Sequence, residues 1–325
     1  MSVGRLPRYV VRRVLQFVPV ILAVLIFNFV LIKIAPGDPA LTMAGEWATK
    51  EQVELVRQKW GLDQPLMTQL LRYLGNLLGG DLGFSYHYHM PVLDVIMLRL
   101  PKTLLLVLTS MIMGIVLGTL IGVYSASRYG TRLDLVASVL SLAFYSIPVF
   151  WLGLLLIIVF GLNLKLFPYT GYISFGVKGA FSVVVDVLWH MVMPSVTLMA
   201  CLYIPVFLRI SRASVVEVMK EDYITTARAA GLGERAVFMR HALRNAIVPV
   251  VQMVGIWMSQ ALTGVVLTET VFSWPGMGTL MYTAIIMRDY PLLMGIFLIT
   301  AVWVVLTFLA VDVATAYLDP RVTYE

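Results

Sequence analysis

The sequence predicts an all-α integral membrane protein with six transmembrane helices. Hydrophobic residues make up 60% of the chain and charged residues only 13%, a composition too apolar for a soluble domain. Six apolar runs are each long enough, at 1.5 Å per helical residue, to cross a hydrocarbon core of about 30 Å. These runs cover residues 14–34, 103–124, 135–160, 187–208, 246–266 and 292–318.

Positive charges flank the apolar runs unevenly and predict the orientation of the chain. Fourteen of the 24 Lys and Arg lie in residues 1–13, in the loop at Arg128 and Arg132, in the segment 209–245 and in residues 319–325. Because cytoplasmic loops carry an excess of Lys and Arg, both termini are predicted to be cytoplasmic. The net charge of +6 is therefore a topology signal and does not indicate a nucleic-acid partner.

The first apolar run, residues 14–34, is interpreted as a transmembrane helix. A cleaved signal peptide is the alternative, but the run exceeds the usual apolar core of a signal peptide and lacks its exit site. The cluster Ala35-Pro36-Gly37-Asp38-Pro39 then breaks the helix. Residues 35–100 are polar and are predicted to form an extracytoplasmic loop.

The loop 35–100 is predicted to be helical. Thr49 and Gln52 form a capping-box pair at the start of one helix, which Gly61 ends, and a second helix runs from Pro65 to the glycines at 79 and 80. Further along, His87 and His89 alternate as two metal ligands on a strand would. No further ligand lies close in sequence, so two interfacial histidines are the favoured interpretation.

The second and third runs carry features of close packing and bending. In 103–124, Gly114, Gly118 and Gly122 recur every four residues, a spacing that permits close helix contact. In 135–160, Pro148 follows Tyr145 and predicts a kink. A kinked helix suits the lining of a pathway, which makes Tyr145 a pathway candidate, although a static kink inside a bundle fits equally well.

The last three runs contain isolated polar side chains. His190, near the outer end of 187–208, is interpreted as an interfacial residue rather than a proton relay. In 246–266, Gln252, Ser259 and Thr263 fall near one helical side and are further pathway candidates, although helix-to-helix hydrogen bonds explain them as well. In 292–318, Asp312 should face protein or water.

The segment 209–245 is the sizeable polar island in the second half of the chain. From Arg209 to Arg244 it carries seven Lys and Arg against four acids, which predicts a cytoplasmic loop. The pattern predicts one helix without interruption up to Gly231, then a glycine turn and a second short helix of about residues 234–243. An amphipathic helix lying on the bilayer is the alternative.

The island closely resembles the cytoplasmic coupling loop of membrane subunits of bacterial ABC importers, in their peptide and nickel branch. The matching residues are Asp222-Tyr223, Ala227-Arg228-Ala229-Ala230-Gly231-Leu232, Arg240-His241-Ala242-Leu243-Arg244-Asn245 and Pro249. Thr225-Thr226-Ala227 departs from the generic Glu-Ala-Ala motif, and the distance from Gly231 to Pro249 is longer, as in the peptide branch. The resemblance implies that Asp222, Tyr223, Thr226, Ala227, Arg228, Ala230, Gly231 and Leu232 contact an ATP-hydrolysing subunit.

A second signature is Glu269-Thr270-Val271-Phe272-Ser273-Trp274-Pro275-Gly276-Met277-Gly278. In the same family this segment closes the outer mouth of the pathway and meets the binding protein. The resemblance implies an outer-gate loop over residues 267–291, with Glu269, Phe272, Trp274, Pro275, Gly276 and Gly278 as contacts. The Pro-Gly pair independently predicts a turn, and Trp274 would suit an anchor at the membrane interface.

The resemblance covers nearly the whole chain and implies the type I ABC importer permease fold, with a permease core over residues 101–318. It also implies a homologous second permease, two ATPase subunits and an extracytoplasmic solute-binding protein, in the bacterial inner membrane. The chain itself has no Walker loop, no metalloprotease motif and no defensible catalytic triad, so it is expected to be non-catalytic. ATP and Mg²⁺ would bind to the partner ATPases, and no cofactor or metal to this chain.

The cargo remains open at the level of the sequence. Dipeptides or oligopeptides are favoured by the resemblance, with nickel or another small solute as alternatives. A secondary transporter driven by an ion gradient is the alternative from another class, and Asp312 would be its candidate coupling residue.

Overall fold

The computed structural model describes residues 5–34, 38–45, 48–262 and 265–318, and these are almost entirely helical. The helices are α1 (Arg5–Ile34), α2 (Pro39–Ala44), α3 (Lys50–Trp60), α4 (Leu66–Leu78), α5 (Val92–Ser127), α6 (Arg132–Ser146), α7 (Val149–Leu156), α8 (Ala180–Leu198), α9 (Ile204–Val218), α10 (Asp222–Ala229), α11 (Glu234–Ala236), α12 (Leu243–Ala246), α13 (Val248–Ser259), α14 (Val266–Val271), α15 (Met277–Ile286) and α16 (Tyr290–Leu318). Three π-helical turns, Ile157–Asn163, Met199–Tyr203 and Val237–Ala242, continue α7, α8 and α11. A two-stranded antiparallel ribbon pairs β1 (Phe84–Ser85) with β2 (Met90–Pro91).

The predicted all-α membrane fold is confirmed. Among the described residues, five helical stretches are long and apolar enough to cross a membrane, and the bent pair α6 and α7 makes a sixth. The chain divides into two compact units, Thr103–Pro275 and the remainder before and after it.

In the unit that holds both ends of the chain, α1 packs along α16. Arg13 of α1 pairs with Asp312 of α16 at 3.1 Å, so the acid faces protein as predicted. The start of α5 packs with α15 and α16 in a core that includes Val92, Ile96 and Leu280, each at most 1% exposed. Where such helices lie in a membrane, van der Waals contact between closely packed side chains stabilises their association.

The extracytoplasmic loop predicted at 35–100 contains the expected helices. The capping box at Thr49 and Gln52 is present, and Gly61 ends α3 with a left-handed φ of +65°. This outcome confirms both sequence signals, because the side chains at a helix start satisfy amides that no intrahelical carbonyl reaches. The break at residues 35–37 lies outside the described residues.

Asp289 fixes the ribbon against the start of α16, a role that the sequence did not indicate. It is 1% exposed and its carboxylate accepts hydrogen bonds from Ser85 Oγ at 2.5 Å and from the His87 amide at 3.2 Å. The same carboxylate accepts the Leu292 amide at 3.3 Å, so it also caps the helix.

In the unit Thr103–Pro275, the glycine stripe of α5 meets the helix that begins at Ala180. A Cβ on Gly114 would overlap Tyr203, one on Gly118 would lie 2.8 Å from the Ile204 carbonyl oxygen, and one on Gly122 would overlap Leu208. The prediction of close helix contact is confirmed, because no larger residue fits at these positions without separating the backbones.

The third predicted span is broken rather than gently kinked. α6 ends at Ser146 and α7 begins at Val149, with an angle of 94° between the two helical segments. Pro148 has no N–H to donate, and it forces Ile147 into an extended conformation with φ −74° and ψ 127°. Helical structure covers 132–146 and 149–163, against the predicted 135–160.

Other helix boundaries also differ from the apolar runs. α5 starts 11 residues before the run 103–124, and the helix around 187–208 extends over Ala180–Val218. A π turn at Met199–Tyr203 directly precedes Pro205, whose missing N–H leaves a gap in the hydrogen bonding of this continuous helix. The fifth predicted span, 246–266, extends past the end of its helix, because α13 ends at Ser259. The final helix starts at Tyr290, two residues before the predicted 292.

Candidate functional site

The predicted coupling loop, residues 209–245, differs in layout from the sequence pattern. α9 continues out of the apolar run as far as Val218, and α10 begins separately at Asp222. Glu221 lies between them in an extended conformation, φ −67° and ψ 147°. The single helix predicted up to Gly231 is therefore wrong. The break is compatible with helix physics, because Asp222 then stands in the first turn of α10, where a negative charge is favourable.

α10 rests on a small apolar core of its own. Ile224 and Ala227 pack with Val237 and Ala242, and all four are at most 9% exposed. The second short helix predicted at 234–243 supplies Val237 and Ala242, and it continues through α12 to Ala246. The loop is therefore a folded helical hairpin rather than an extended linker.

The predicted contact residues divide into two groups by burial. Ala227 points into the small core, so its side chain is not on the surface of α10. The remaining seven are exposed: Asp222, Tyr223, Thr226, Arg228, Ala230, Gly231 and Leu232. The exposed side of α10 and the turn after it therefore carry small, polar and charged groups that a partner could approach.

Gly231 closes α10 by a backbone conformation that favours glycine. Its φ is +80°, its amide donates to the Arg228 carbonyl at 2.9 Å, and the next amide, of Leu232, donates to the Ala227 carbonyl at 3.3 Å. These bonds satisfy carbonyls at the end of the helix. Space beside Gly231 is open, so the constraint is backbone strain and not a clash.

Two side-chain contacts hold α10 to the rest of the hairpin. Arg228 donates two hydrogen bonds to Glu234, at 2.8 and 3.2 Å, and these bonds hold the pKa of the Glu234 carboxyl below its usual value. Both groups are exposed, so solvent screens the pair and its contribution to stability is small. Asn245 Nδ2 donates to the Tyr223 hydroxyl at 2.8 Å.

An ion pair that sequence reasoning missed connects α9 to the turn between α5 and α6. Arg212 donates to both oxygens of Asp134, from Nε at 2.5 Å and from Nη2 at 2.8 Å. Asp134 is 3% exposed and also accepts Ser125 Oγ at 2.6 Å and the Gly130 amide at 3.1 Å. Charge-assisted bidentate pairs of this kind fix orientation strongly. The available signal was a lone acid after Thr131, in a loop otherwise marked by arginines.

The predicted outer-gate residues that lie in the unit Thr103–Pro275 are mostly buried. Glu269 and Trp274 are fully buried and Phe272 is 2% exposed. Thr103 Oγ1 donates to Glu269 at 2.6 Å, and the Trp274 amide donates to the Glu269 carbonyl at 2.8 Å. The prediction of an interfacial anchor at Trp274 is wrong, because its ring packs inside the unit, at 5.0 Å and edge-to-face with Tyr172.

The backbone around these residues is tied to the segment that follows α7. The Phe272 carbonyl accepts the Gly171 amide at 2.9 Å, and the ring of Phe272 lies against Gly153 of α7. Ser273 adopts a positive φ of 52°, an uncommon conformation for a residue with a side chain. α14 and the four residues after it, named the wedge below, turn Glu269, Phe272 and Trp274 into this unit and leave Leu267 exposed.

The other signature residues surround the predicted Pro-Gly turn. Pro275 is partly exposed, whereas Gly276 and Gly278 are buried. The Gly276 amide donates to Thr279 Oγ1 at 3.1 Å at the start of α15. The turn predicted at Pro275-Gly276 lies earlier, at Phe272 and Ser273, with a bend at Gly276, and the two separate α14 from α15 within the segment 267–291.

The structure describes three of the four pathway candidates, Tyr145, Gln252 and Ser259. Tyr145 is exposed, with the Arg209 guanidinium 4.7 Å above its ring. Gln252 is exposed, whereas Ser259 is 6% exposed and its hydroxyl donates to the Ile256 carbonyl of its own helix at 2.7 Å. Thr263 lies outside the described residues.

The isolated histidines His87 and His190 contact neighbouring residues of this chain. His190 Nδ1 lies 2.8 Å from the Asp186 carbonyl oxygen, one turn earlier in α8. The ring of His87 meets Tyr88 edge-to-face at 4.8 Å. Within the described part of the chain, no group of three or more His, Cys, Asp or Glu is placed to hold a metal ion.

Comparison with known proteins gives matches along nearly the whole chain. Residues 118–324 match the family described as the binding-protein-dependent transport system inner membrane component, and residues 6–107 match the N-terminal family of such membrane components. The chain is 37% identical to the oligopeptide transport system permease protein AppB of Bacillus subtilis (strain 168), over 97% of this chain and 99% of that protein. It is 38% identical to the glutathione transport system permease protein GsiC of Escherichia coli (strain K12), over 98% and 99%. It is also 38% identical to the probable peptide ABC transporter permease protein y4tP of Sinorhizobium fredii (strain NBRC 101917 / NGR234), over 97% and 99%.

Proposed function

The chain belongs to the family of binding-protein-dependent transport system inner membrane components, and we propose that it is a permease subunit of an ATP-driven importer of peptides. Relatives of nearly equal length are named as oligopeptide, glutathione and probable peptide permeases. The chain is a multi-pass membrane protein whose own residues would line part of the translocation pathway. The cargo class is di- or oligopeptides delivered by an extracytoplasmic binding protein.

The observation that best supports this function is that α10 is exposed on one side and packs on the other against the rest of a folded helical hairpin. Its outer side carries Thr226, Ala229 and Ala230, whereas its inner side is fixed to the small core around Ile224. A partner that pushes on α10 would move α9 and α12 with it, because Val218 of α9 packs against the α10 core and Asn245 of α12 donates to Tyr223. Loop 209–245 is therefore proposed as the coupling loop that receives the motion of an ATPase.

The proposed assembly contains a homologous second permease, two ATPase subunits and a binding protein. ATP and Mg²⁺ would be held by the ATPases, so this chain would be non-catalytic. Both termini and the loop 209–245 would lie on the cytoplasmic side of a bacterial inner membrane, with residues 35–100 and 267–291 outside. The segment 267–291 would close the pathway at its outer end when the ATPases are apart.

A bulky side chain on the exposed side of α10 tests the proposal. Ala229→Trp should lower peptide transport by the assembled complex in proteoliposomes at least tenfold, because the partner cannot approach α10 closely. The matched control is Ala180→Trp, since Ala180 is also exposed but begins α8. ATP in the vesicle experiment is supplied on the side of the ATPases, and ionophores are added in a parallel run.

Transport by Ala229→Trp at the wild-type rate would contradict the assignment of α10. Transport that stops with ionophores and ignores ATP would contradict the importer itself. Co-purification of the ATPase subunits with the wild-type chain, and their loss from Ala229→Trp, would place the defect at the proposed contact.

A further inference from the structure

Helix α4 exposes several large apolar side chains. Its apolar residues Leu66, Met67, Leu71 and Leu78 are 60% to 92% exposed, and none of its described residues is buried. A helix on the surface of a water-soluble domain turns its leucines inward and its polar side outward. α4 turns Leu70, Leu74 and Leu77 partly inward but leaves the other apolar side chains exposed beside Thr68, Arg72 and Asn76. Part of its outer surface is therefore apolar and suits an apolar environment.

The polar side of α4 lines a cavity of about 200 Å³. Gln69, Arg72 and Asn76 contribute from α4, and Lys33 contributes from the end of α1. Most of the remaining wall is apolar or aromatic, including Phe29 and Tyr73, whose rings stack at 6.4 Å. The cavity therefore combines cationic groups with apolar walls.

Neither cation in this cavity is neutralised by an acid among the described residues. Lys33 Nζ donates to Gln69 Oε1 at 2.5 Å and lies 5.6 Å from the centre of the Phe29 ring, and it forms no ion pair there. Arg72 is exposed and the described residues supply it with no carboxylate within salt-bridge distance. The one acid in the lining, Asp81, accepts the Gly83 amide at 2.8 Å. The net charge of the lining is therefore positive.

The position of the cavity identifies the class of ligand. α1 is an apolar stretch of membrane length that ends at Ile34, and its side chains Ile26, Phe27 and Ile34 are 42% to 73% exposed. α4 adjoins this helix through the Lys33–Gln69 and Phe29–Tyr73 contacts at the cavity wall. A cation at the end of a membrane helix lies at the depth of the phosphates of the bilayer.

We propose that this cavity binds the phosphate of an anionic phospholipid between Lys33 and Arg72, with α4 lying in the same leaflet. The acyl chains then run along the exposed leucines of α4 and the outer side of α1. Basic pockets beside membrane helices take anionic headgroups by the same combination of charge and apolar contact. The amides of Gln69 and Asn76 provide further polar groups beside the headgroup.

Lipid retention by the whole transporter tests the headgroup site. The complex is reconstituted in phosphatidylcholine nanodiscs with a minor fraction of phosphatidylglycerol, and co-purified lipid is counted by native mass spectrometry. The wild-type complex should retain phosphatidylglycerol, and Lys33→Gln/Arg72→Gln should retain at least tenfold less. The control Lys50→Gln/Lys59→Gln removes two exposed cations of α3 outside the cavity and should match the wild type.

Two results of this experiment would overturn the proposal. Equal retention by the wild type and the cavity variant is one, and complete displacement of the lipid by excess inorganic phosphate is the other, because it would reveal a site for a free anion. Should the double variant fail to assemble, Arg72→Gln alone serves, since Arg72 is exposed and glutamine keeps most of the side chain that lies towards Gly61. Peptide transport is measured separately, so failure of this proposal leaves the importer assignment intact.

Spin labels test the position of α4. In a Cys201→Ala background with cysteine-free partner subunits, a label at Leu71→Cys should collide with dissolved oxygen more than with a water-soluble nickel chelate. A label at Lys59→Cys should show the reverse. Preferential collision of the Leu71→Cys label with the nickel chelate, or shielding from both reagents by a protein partner, would overturn the lipid assignment.

Discussion

The coupling hairpin around α10 and the wedge formed by α14 and residues 272–275 both carry signature motifs, yet their motif residues differ in exposure. Seven of the eight motif residues predicted to contact a partner at α10 are exposed, whereas Glu269, Phe272 and Trp274 of the wedge are at most 2% exposed. The first motif presents groups to a surface, and the second holds its own unit together. A motif shared with a family therefore does not by itself indicate a contact residue.

This difference predicts that substitutions in the wedge act on folding. Trp274→Ala should lower the free energy of unfolding by about 3–5 kcal/mol, because it removes a large, fully buried side chain and leaves a cavity. Denaturant unfolding in detergent micelles measures this loss. Trp151→Ala is the matched control, since Trp151 is 48% exposed and should change stability far less. Equal losses for the two variants would show that Trp274 is not an internal wedge residue.

On the side of the hairpin, α9 is joined to α6 by a buried ion pair. A double-mutant cycle of Asp134→Ala and Arg212→Ala should return a coupling free energy of about 2 kcal/mol, because Asp134 is buried and held by two oxygen contacts. The same cycle on the exposed pair Arg228 and Glu234 should show no measurable coupling. A measurable coupling free energy for the exposed pair, or none for the buried pair, would contradict the prediction that the buried pair is the stronger one.

A substitution in the turn that ends α10 should have the smallest effect on stability. We expect its effect on transport to be clear. Gly231→Ala should cost about 1 kcal/mol, since φ +80° strains any residue with a Cβ. Gly233→Ala is the control, because Gly233 has φ −63° and equally open space beside it. Amide hydrogen exchange of α10 and ATP-driven transport are the measurements. Equal behaviour of the two variants would indicate that the left-handed turn is not needed.

Hydropathy and breaker residues predict much of this fold because they act locally. The apolar runs, the capping box at Thr49 and the turn before Pro275 all depend on neighbours within a few residues. The position of the break at Pro148 follows from the same local chemistry. Its angle of 94° does not, because the angle depends on what α6 and α7 pack against.

The sequence pattern does not predict contacts between distant residues or the burial of individual side chains. Asp134 and Arg212 are 78 residues apart, and no local rule pairs them. Trp274 fits an interface and a protein interior equally well by composition, so its burial required tertiary contacts. Ala227 lies within the coupling motif, but the phase of a helix that begins at Asp222 turns its side chain inward.

Because α9 is uninterrupted, a displacement at one of its ends determines the angle through which the whole helix tilts. Its 15 residues form a rod of about 22 Å between the π turn at Met199–Tyr203 and the non-helical residues before α10. A sideways displacement of about 5 Å at the α10 end would tilt such a rod by roughly 13° if the π turn acts as its pivot. Side chains near the pivot would then rotate while translating very little. Gly118 and Gly122 of α5 contact the half of this rod nearer the π turn, so the backbone of α5 would bear on α9 close to its pivot.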